Sequence, residues 1–352
     1  MKSSGSLLAV ATLALAGCNG AGNPNGPAAT ATSPTISPTT AAPGATTPGT
    51  TTTAPATTTP VTSAAASSTT GPGEVFPPTN PWNTDISAYP VHANSANFIA
   101  SIGASTGLHP DFGTTYNGAP NGIPYVIVSA TQPLVPINLG IYASESDPGP
   151  QPIPPTAPIE GGPNGTGDRH VLVVDKDSHK LYEMDGAYPG ANNSWSCNGG
   201  ALFDLTSNNL RPAGWTSADA AGLPIFPGLV RFDEAVTQGA INHALRFTVQ
   251  VSQHGYISPA THYASSNTSA NVPPMGLRLR LKASVDISKF PPEVQVILTA
   301  LKKYGMFVAD NGSNWFISGA PDPSWNDSNL ATLSQIKGSD FDAVDTGPIV
   351  TK

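Results

Sequence analysis

The sequence predicts a mainly β domain of sandwich or jelly-roll type, with a few short helices and one amphipathic helix at about 291–304. Three observations predict it. Ile241, His243, Leu245, Phe247, Val249 and Val251 alternate strictly with Asn242, Ala244, Arg246, Thr248 and Gln250, the period of a half-buried strand. His170–Asp175 and Lys180–Met184 are rich in β-formers and flank the turn Lys176-Asp177-Ser178-His179, a hairpin signal. The connections are long and rich in Pro and Gly, and no repeat with a period of roughly 20–50 residues is present, which argues against propellers and solenoids.

The chain opens on an address. Met1-Lys2-Ser3 and the apolar run Leu7–Ala16 have the form of a secretory signal over residues 1–17, too short to span a bilayer. The run ends in Leu15-Ala16-Gly17-Cys18, which resembles the lipobox of bacterial lipoproteins. The resemblance implies cleavage before Cys18, acylation of Cys18, a membrane partner through that lipid, and export. Asn19, in place of the Asp that retains such proteins at the inner membrane, implies the outer surface. Residues 18–73 continue as Thr, Pro, Ala, Ser, Gly and Asn, too little apolar surface to offset ordering entropy, and read as a disordered tether.

Apart from Lys2, no charged residue precedes Glu74, so all 23 acids and 14 of the 15 bases lie in residues 74–352. That stretch is long enough for one β-rich globular domain, and its acidic balance argues against a nucleic-acid partner. Asn94–Ile102 reads as a short helix stopped by Gly103, Tyr125–Val128 as a strand, and Ala201–Leu205 as another. Leu277, Leu279 and Leu281 alternate with Arg278, Arg280 and Lys282. Pro291 and Pro292 open the clear helix, with Val294, Ile297, Leu298 and Leu301 on one face and Gly305 as its stop. Met306–Ala309 and Trp315–Ser318, joined through Asp310-Asn311-Gly312, read as a second hairpin.

Several blocks resemble a family of uncharacterised secreted bacterial proteins. They are Asn80-Pro81-Trp82-Asn83, His109-Pro110-Asp111-Phe112-Gly113, Gly167-Asp168-Arg169-His170, Trp215-Thr216-Ser217-Ala218-Asp219, Pro273-Pro274-Met275-Gly276-Leu277-Arg278 and Ala309-Asp310-Asn311-Gly312-Ser313-Asn314-Trp315. The resemblance runs over residues 75–346 and implies no particular activity.

Chemistry must therefore come from residue types. Cys197 has no cationic neighbour in sequence to lower its pKa, and reads as an inert thiol. No metal-ligand spacing, phosphate-cradling Gly loop or nucleophile elbow is present, so no cofactor or metal is expected; convergence of His243, His254 and His262 on zinc is the weaker reading. The long stretch Ser144–Arg169, dense in Pro and Gly, is either a surface crossover or a loop over a binding site. Glycoside hydrolysis asks only for two facing carboxylates, and Asp168, His170, Glu183 and Asp204 are the first candidates for acid, base or orienting roles. Lyase chemistry on acidic sugars would add a cation, from Arg278 or Arg280, and His243 as proton carrier. Trp215 and Trp315 suit stacking on sugar rings. Two functions follow: a surface-anchored enzyme acting on polysaccharide, or a non-catalytic carbohydrate-binding or envelope-structural lipoprotein. Carboxylates and His gathered in one cleft favour the first; dispersed acids with exposed coplanar aromatics favour the second.

Overall fold

The computed structural model describes residues 75–351; the expected signal segment, Cys18 and the tether lie outside the described residues. The two larger sheets are built from β1 (His109–Asp111), β2 (Tyr125–Val128), β3 (Val171–Asp175), β4 (Lys180–Asp185), β5 (Gly199–Asp204), β6 (Leu245–Val249), β7 (Arg278–Leu281), β8 (Met306–Asn311), β9 (Phe316–Ser318) and β10 (Phe341–Val344). One has six strands in the order β1-β9-β6-β8-β7-β10, the other four in the order β5-β4-β3-β2. The fold is mainly β, as the alternation predicts, with α1 (Ser95–Ile102) and α2 (Pro292–Lys303) among few helices. Pairing is mixed: β1–β9, β6–β8 and β2–β3 are parallel, the rest antiparallel.

Both sheets feed one core. Leu172, Val174, Leu181, Ala201 and Phe203 from the smaller sheet share it with Phe247, Leu279, Phe307 and Ile317 from the larger. The other face of the smaller sheet is covered too. Val171, Val173 and Met184 pack with Val135, Ile153, Trp195 and Cys197 in a second cluster. Burial on both faces explains why β3 reads as an unbroken apolar run. α2 buries Val294, Ile297, Leu298 and Leu301, the stripe its spacing predicts.

Two expectations need correction. The alternating run 241–251 is a strand only from Leu245 to Val249; Ala244 instead donates its N–H to Trp82, and His243 turns inward to an acid. The expected hairpin of 306–309 with 315–318 is not formed, because β6 lies between β8 and β9. The link crosses the end of β6. Gly312 N–H donates to Val249, Gln250 N–H donates to the Asn314 side chain, and Thr248 Oγ1 donates to Ser313. Asp-Asn-Gly supplies a turn, and the free end of β6 supplies its hydrogen bonds.

Candidate functional site

The site starts from a row across the six-stranded sheet. Asp111 in β1 is in register with Ser318 in β9. Ser318 Oγ accepts from Arg246 Nη1 of β6, and Arg246 grips Asp219 with Nε at 3.1 Å and Nη2 at 2.7 Å. Further along, Thr248 of β6 is in register with Asp310, near the end of β8. Ala221 donates its N–H to Ala309, which brings the turn carrying Asp219 against that strand end. The turn at 226–228 closes over Arg246: a Cβ on Gly228 would stand 3.0 Å from Arg246 Cβ and 2.7 Å from the Trp82 ring, so only glycine fits.

The smaller sheet and the loop 144–169 supply the other wall. Arg169 adopts a left-handed backbone, φ 53°, which sends its neighbours apart: Asp168 outward to solvent, His170 inward. The guanidinium of Arg169 pins the loop by donating to Gly165 (2.7 Å), Pro163 (3.1 Å) and Ala187 (3.1 Å), and lies over the Tyr188 ring. His170 Nδ1 meets Glu160 Oε2 at 2.6 Å, and Nε2 meets the Ala218 carbonyl at 3.0 Å. Burial alone would lower the His170 pKa. The charge and hydrogen bond of Glu160 outweigh it, with Asp168 and Asp185 adding, and raise it to about 10. The ring is therefore an imidazolium that donates from both nitrogens. Burial pushes Glu160 up, but His170 and then Arg246 pull it below the usual carboxylate range.

Two carboxyls move the opposite way. Asp310, half-buried, is raised to about 8, first by desolvation and then by the charge of Asp219; Arg246 and the Asn311 N–H oppose, and Asp168 adds. Asp111 is exposed, yet the protein atoms near its carboxyl desolvate it in part. Glu160 raises it further, Arg246 opposes and Asp168 adds, to about 6. Strands β1 and β8 stand three spacings apart, roughly 14 Å, too far for Asp111 and Asp310 to act as a direct pair. The charge of Asp168 bears on both and raises each of them. Among the described residues neither Asp111 nor Asp168 has a hydrogen bond to its carboxylate. The cations nearby are committed: Arg246 to Asp219 and Ser318, His170 to Glu160 and Ala218, Arg169 to loop carbonyls.

Of the residues singled out in the sequence, the fold brings Asp168 and His170 to this cluster of acids. Glu183 is near it electrostatically but fully buried: its carboxylate accepts from the N–H groups of Ile225 and Phe226. Burial, against those bonds and with Asp219 adding, raises it to about 7. It works as a strut between the sheet and the turn over Arg246. Asp204 lies elsewhere, exposed at the far end of β5, where it accepts from the N–H and hydroxyl of Thr206. Trp315 is wholly buried, with Nε1 donating to Gly103, and presents no face for stacking; Trp215 is half-buried beside Arg211.

Arg278 is also buried, clamping the N-terminal segment by donating to Pro81, Thr84 and Tyr304. Arg280 holds Ile86, Ser87 and Tyr89 in the same way. His243 is buried against Glu234, which also takes Arg231. His254 and His262 each engage their own carbonyl, Ser265 and Ala220, and among the described residues no group of three His, Cys, Asp or Glu could hold a metal. Burial pushes the Cys197 thiol up to about 12, which suits an inert thiol.

Asp111, Arg246, Asp219 and Asp310 carry more of the recess than their sequence neighbourhoods suggest. Asp111, Asp219 and Asp310 lie in His109–Gly113, Trp215–Asp219 and Ala309–Trp315, three of the blocks that carry the family resemblance, which the fold brings near Gly167–His170; Arg246, on β6, lies outside them. No protein-family model, no curated protein and no solved structure matches this chain.

Proposed function

We propose that the domain is a hydrolase of polysaccharide, with Asp310 as general acid and Asp168 as general base. The carrying observation is the contrast between these two carboxyls. Asp310 sits in a desolvated, acid-crowded position that favours its protonated form, while Asp168, whose charge reaches it, is exposed to solvent with no hydrogen bond to its carboxylate among the described residues. Carboxyls placed in opposed environments are how one site runs acid and base chemistry at one pH. Asp310 gives its proton to the glycosidic oxygen as the C–O bond breaks. Asp168 takes a proton from the water that attacks the anomeric carbon, and exchange with solvent then resets both groups; one water is consumed per bond. Arg246, locked on Asp219, positions the floor and touches no substrate.

Two features favour this over the alternatives. A lyase on acidic sugars needs a cation free to meet the substrate carboxylate, and the recess cations are committed. A binding module that stacks sugars on tryptophan would show those rings exposed, whereas Trp82, Trp195, Trp315 and Trp325 are buried and Trp215 half-buried; the exposed rings are tyrosines. The same reading puts this activity at the envelope surface on an acylated Cys18, supported by the signal-like segment and the lipobox resemblance of Leu15-Ala16-Gly17-Cys18.

The test is incubation of the protein with a panel of neutral and acidic polysaccharides, reading reducing ends and unsaturated uronate together. Reducing ends without uronate absorbance are expected, with Asp310→Asn and Asp168→Asn each slowing release about 10²–10⁴-fold. Retention on a polymer with no product from any would leave the binding module instead.

A further inference from the structure

A second surface carries chemistry that the recess does not use. A hollow of about 590 Å³, a size that suits a small ligand or one unit of a polymer, opens beside the C-terminal end of α2. It is lined by Arg280, Lys282, Lys302 and Lys303, with Asp342 as its one acid. That is a marked excess of positive charge in a chain whose formal net charge is −8. Leu279 pairs with Met306 at the start of β8, so Arg280 and Lys282 run off past the end opposite Asp310. At about 3.3 Å per residue the hollow stands roughly 15–20 Å from that carboxyl.

The cations are held without being neutralised. Arg280 donates to Ile86, Ser87 and Tyr89 through Nη1 alone, and among the described residues its Nε and Nη2 have no acceptor. Lys302 Nζ is fixed by the Ala283 and Val285 carbonyls at 3.1 and 2.6 Å, which are neutral partners. Lys303 lies over the Tyr304 ring at 4.9 Å. Lys282 alone has a carboxylate within 4 Å, Asp342 at 3.7 Å, while it donates to the Ser339 carbonyl; Asp286 and Asp85 act on Lys302 and Lys303 from further off. Several cations anchored by carbonyls around a concavity form a preorganised oxyanion site. Ser87 also lines a neighbouring hollow of about 520 Å³, which offers the exposed ring of Tyr89 beside Asp85 and Asp345. Cations in one hollow and a ring beside two carboxylates in its neighbour match a sugar chain whose anionic groups lie over the first and whose neutral ring face meets Tyr89 in the second.

We propose that this groove docks an anionic glycan, taking its carboxylate or phosphate groups on Arg280, Lys282, Lys302 and Lys303 and a sugar ring on Tyr89. It is independent of the acid–base recess and would hold the domain on an anionic matrix while the recess works on a chain nearby. A bilayer is the less fitting occupant, because a concave wall meets a flat surface poorly.

The experiment is retention of the full chain on immobilised polygalacturonate, with a neutral glucan and anionic phosphatidylglycerol vesicles as the other arms. At low salt the protein should bind polygalacturonate and not the glucan, and binding should fade as salt rises. The double variant Lys282→Gln/Lys303→Gln should weaken binding at least about tenfold. Lys176→Gln/Lys180→Gln, on the β3–β4 hairpin of the other sheet, should leave it unchanged. Lys303→Gln alone, which removes only an exposed ammonium, should weaken it in the same direction with an unaltered melting temperature. No retention, equal loss in the control pair, or vesicle binding that outlasts polymer binding would overturn the proposal. Release of reducing ends is read separately, so loss of docking and loss of the recess activity remain distinguishable.

Discussion

At the residue scale, the recess separates acids that hold the fold from acids that face solvent. Asp219 and Arg246 are both buried and bound to each other, so removing one strands the other as an uncompensated charge. Asp219→Ala should cost about 3–5 kcal/mol, whereas Asp204→Ala, at an exposed turn, should stay within about 0.5 kcal/mol; urea unfolding of both variants compares them. Asp310 shows the opposite economy. Its folded pKa is raised from 3.8 to about 8, so the folded state binds that proton more tightly than the unfolded state does. Between about pH 4 and 8 the unfolded chain has given up the proton and the folded chain has not, and stability falls as pH rises. Asp310→Asn should therefore raise the melting temperature at pH 8–9, by about 2–4 °C per kcal/mol for a domain of this size, and change it little at pH 4. An equal gain at both pH values would contradict the assigned burial of that carboxyl. A residue that costs stability where it stands is the pattern expected of a functional group.

Elements make these placements, and they differ in how far the sequence foretells them. β3, β4, α1 and α2 follow from apolar period and stop signals, because their partners are close in sequence or their stripe faces one core. The hairpin expected at 306–318 failed for a non-local reason: β6, some sixty residues earlier, takes the place between the two strands. Periodicity reports which face is buried and not which strand lies alongside. The candidate site divides the same way. Asp168 and His170 were legible because both stand next to an evident strand, and Asp204 and Glu183 looked alike by that criterion. Only the fold separates them, sending Glu183 onto the Ile225 and Phe226 amides and Asp204 onto Thr206. Arg278 reads from the sequence as a cation for an acidic sugar and instead clamps the segment at 81–84. Arg278→Met should loosen that segment; faster proteolysis N-terminal to α1, with the recess activity retained, is the expected result.

For the whole molecule, the two sheets and the loop 144–169 converge on one acidic recess, and a basic groove lies near the other end of β8. If Cys18 carries lipid, Cys18→Ser should move the protein from the membrane fraction to the soluble one and abolish acyl labelling without altering the folded domain. In the proposed hydrolase Asp310 acts as an acid because its surroundings favour the protonated carboxyl near neutral pH. The measurement that bears on this first is the pH dependence of reducing-end release from any polymer of the panel that yields product, compared with the same profile for Asp310→Asn. A rate that falls with an alkaline limb at about pH 8, and near loss of activity in the variant at every pH, are expected. A rate that climbs steadily through pH 8, or a variant as active as the parent, would contradict that role.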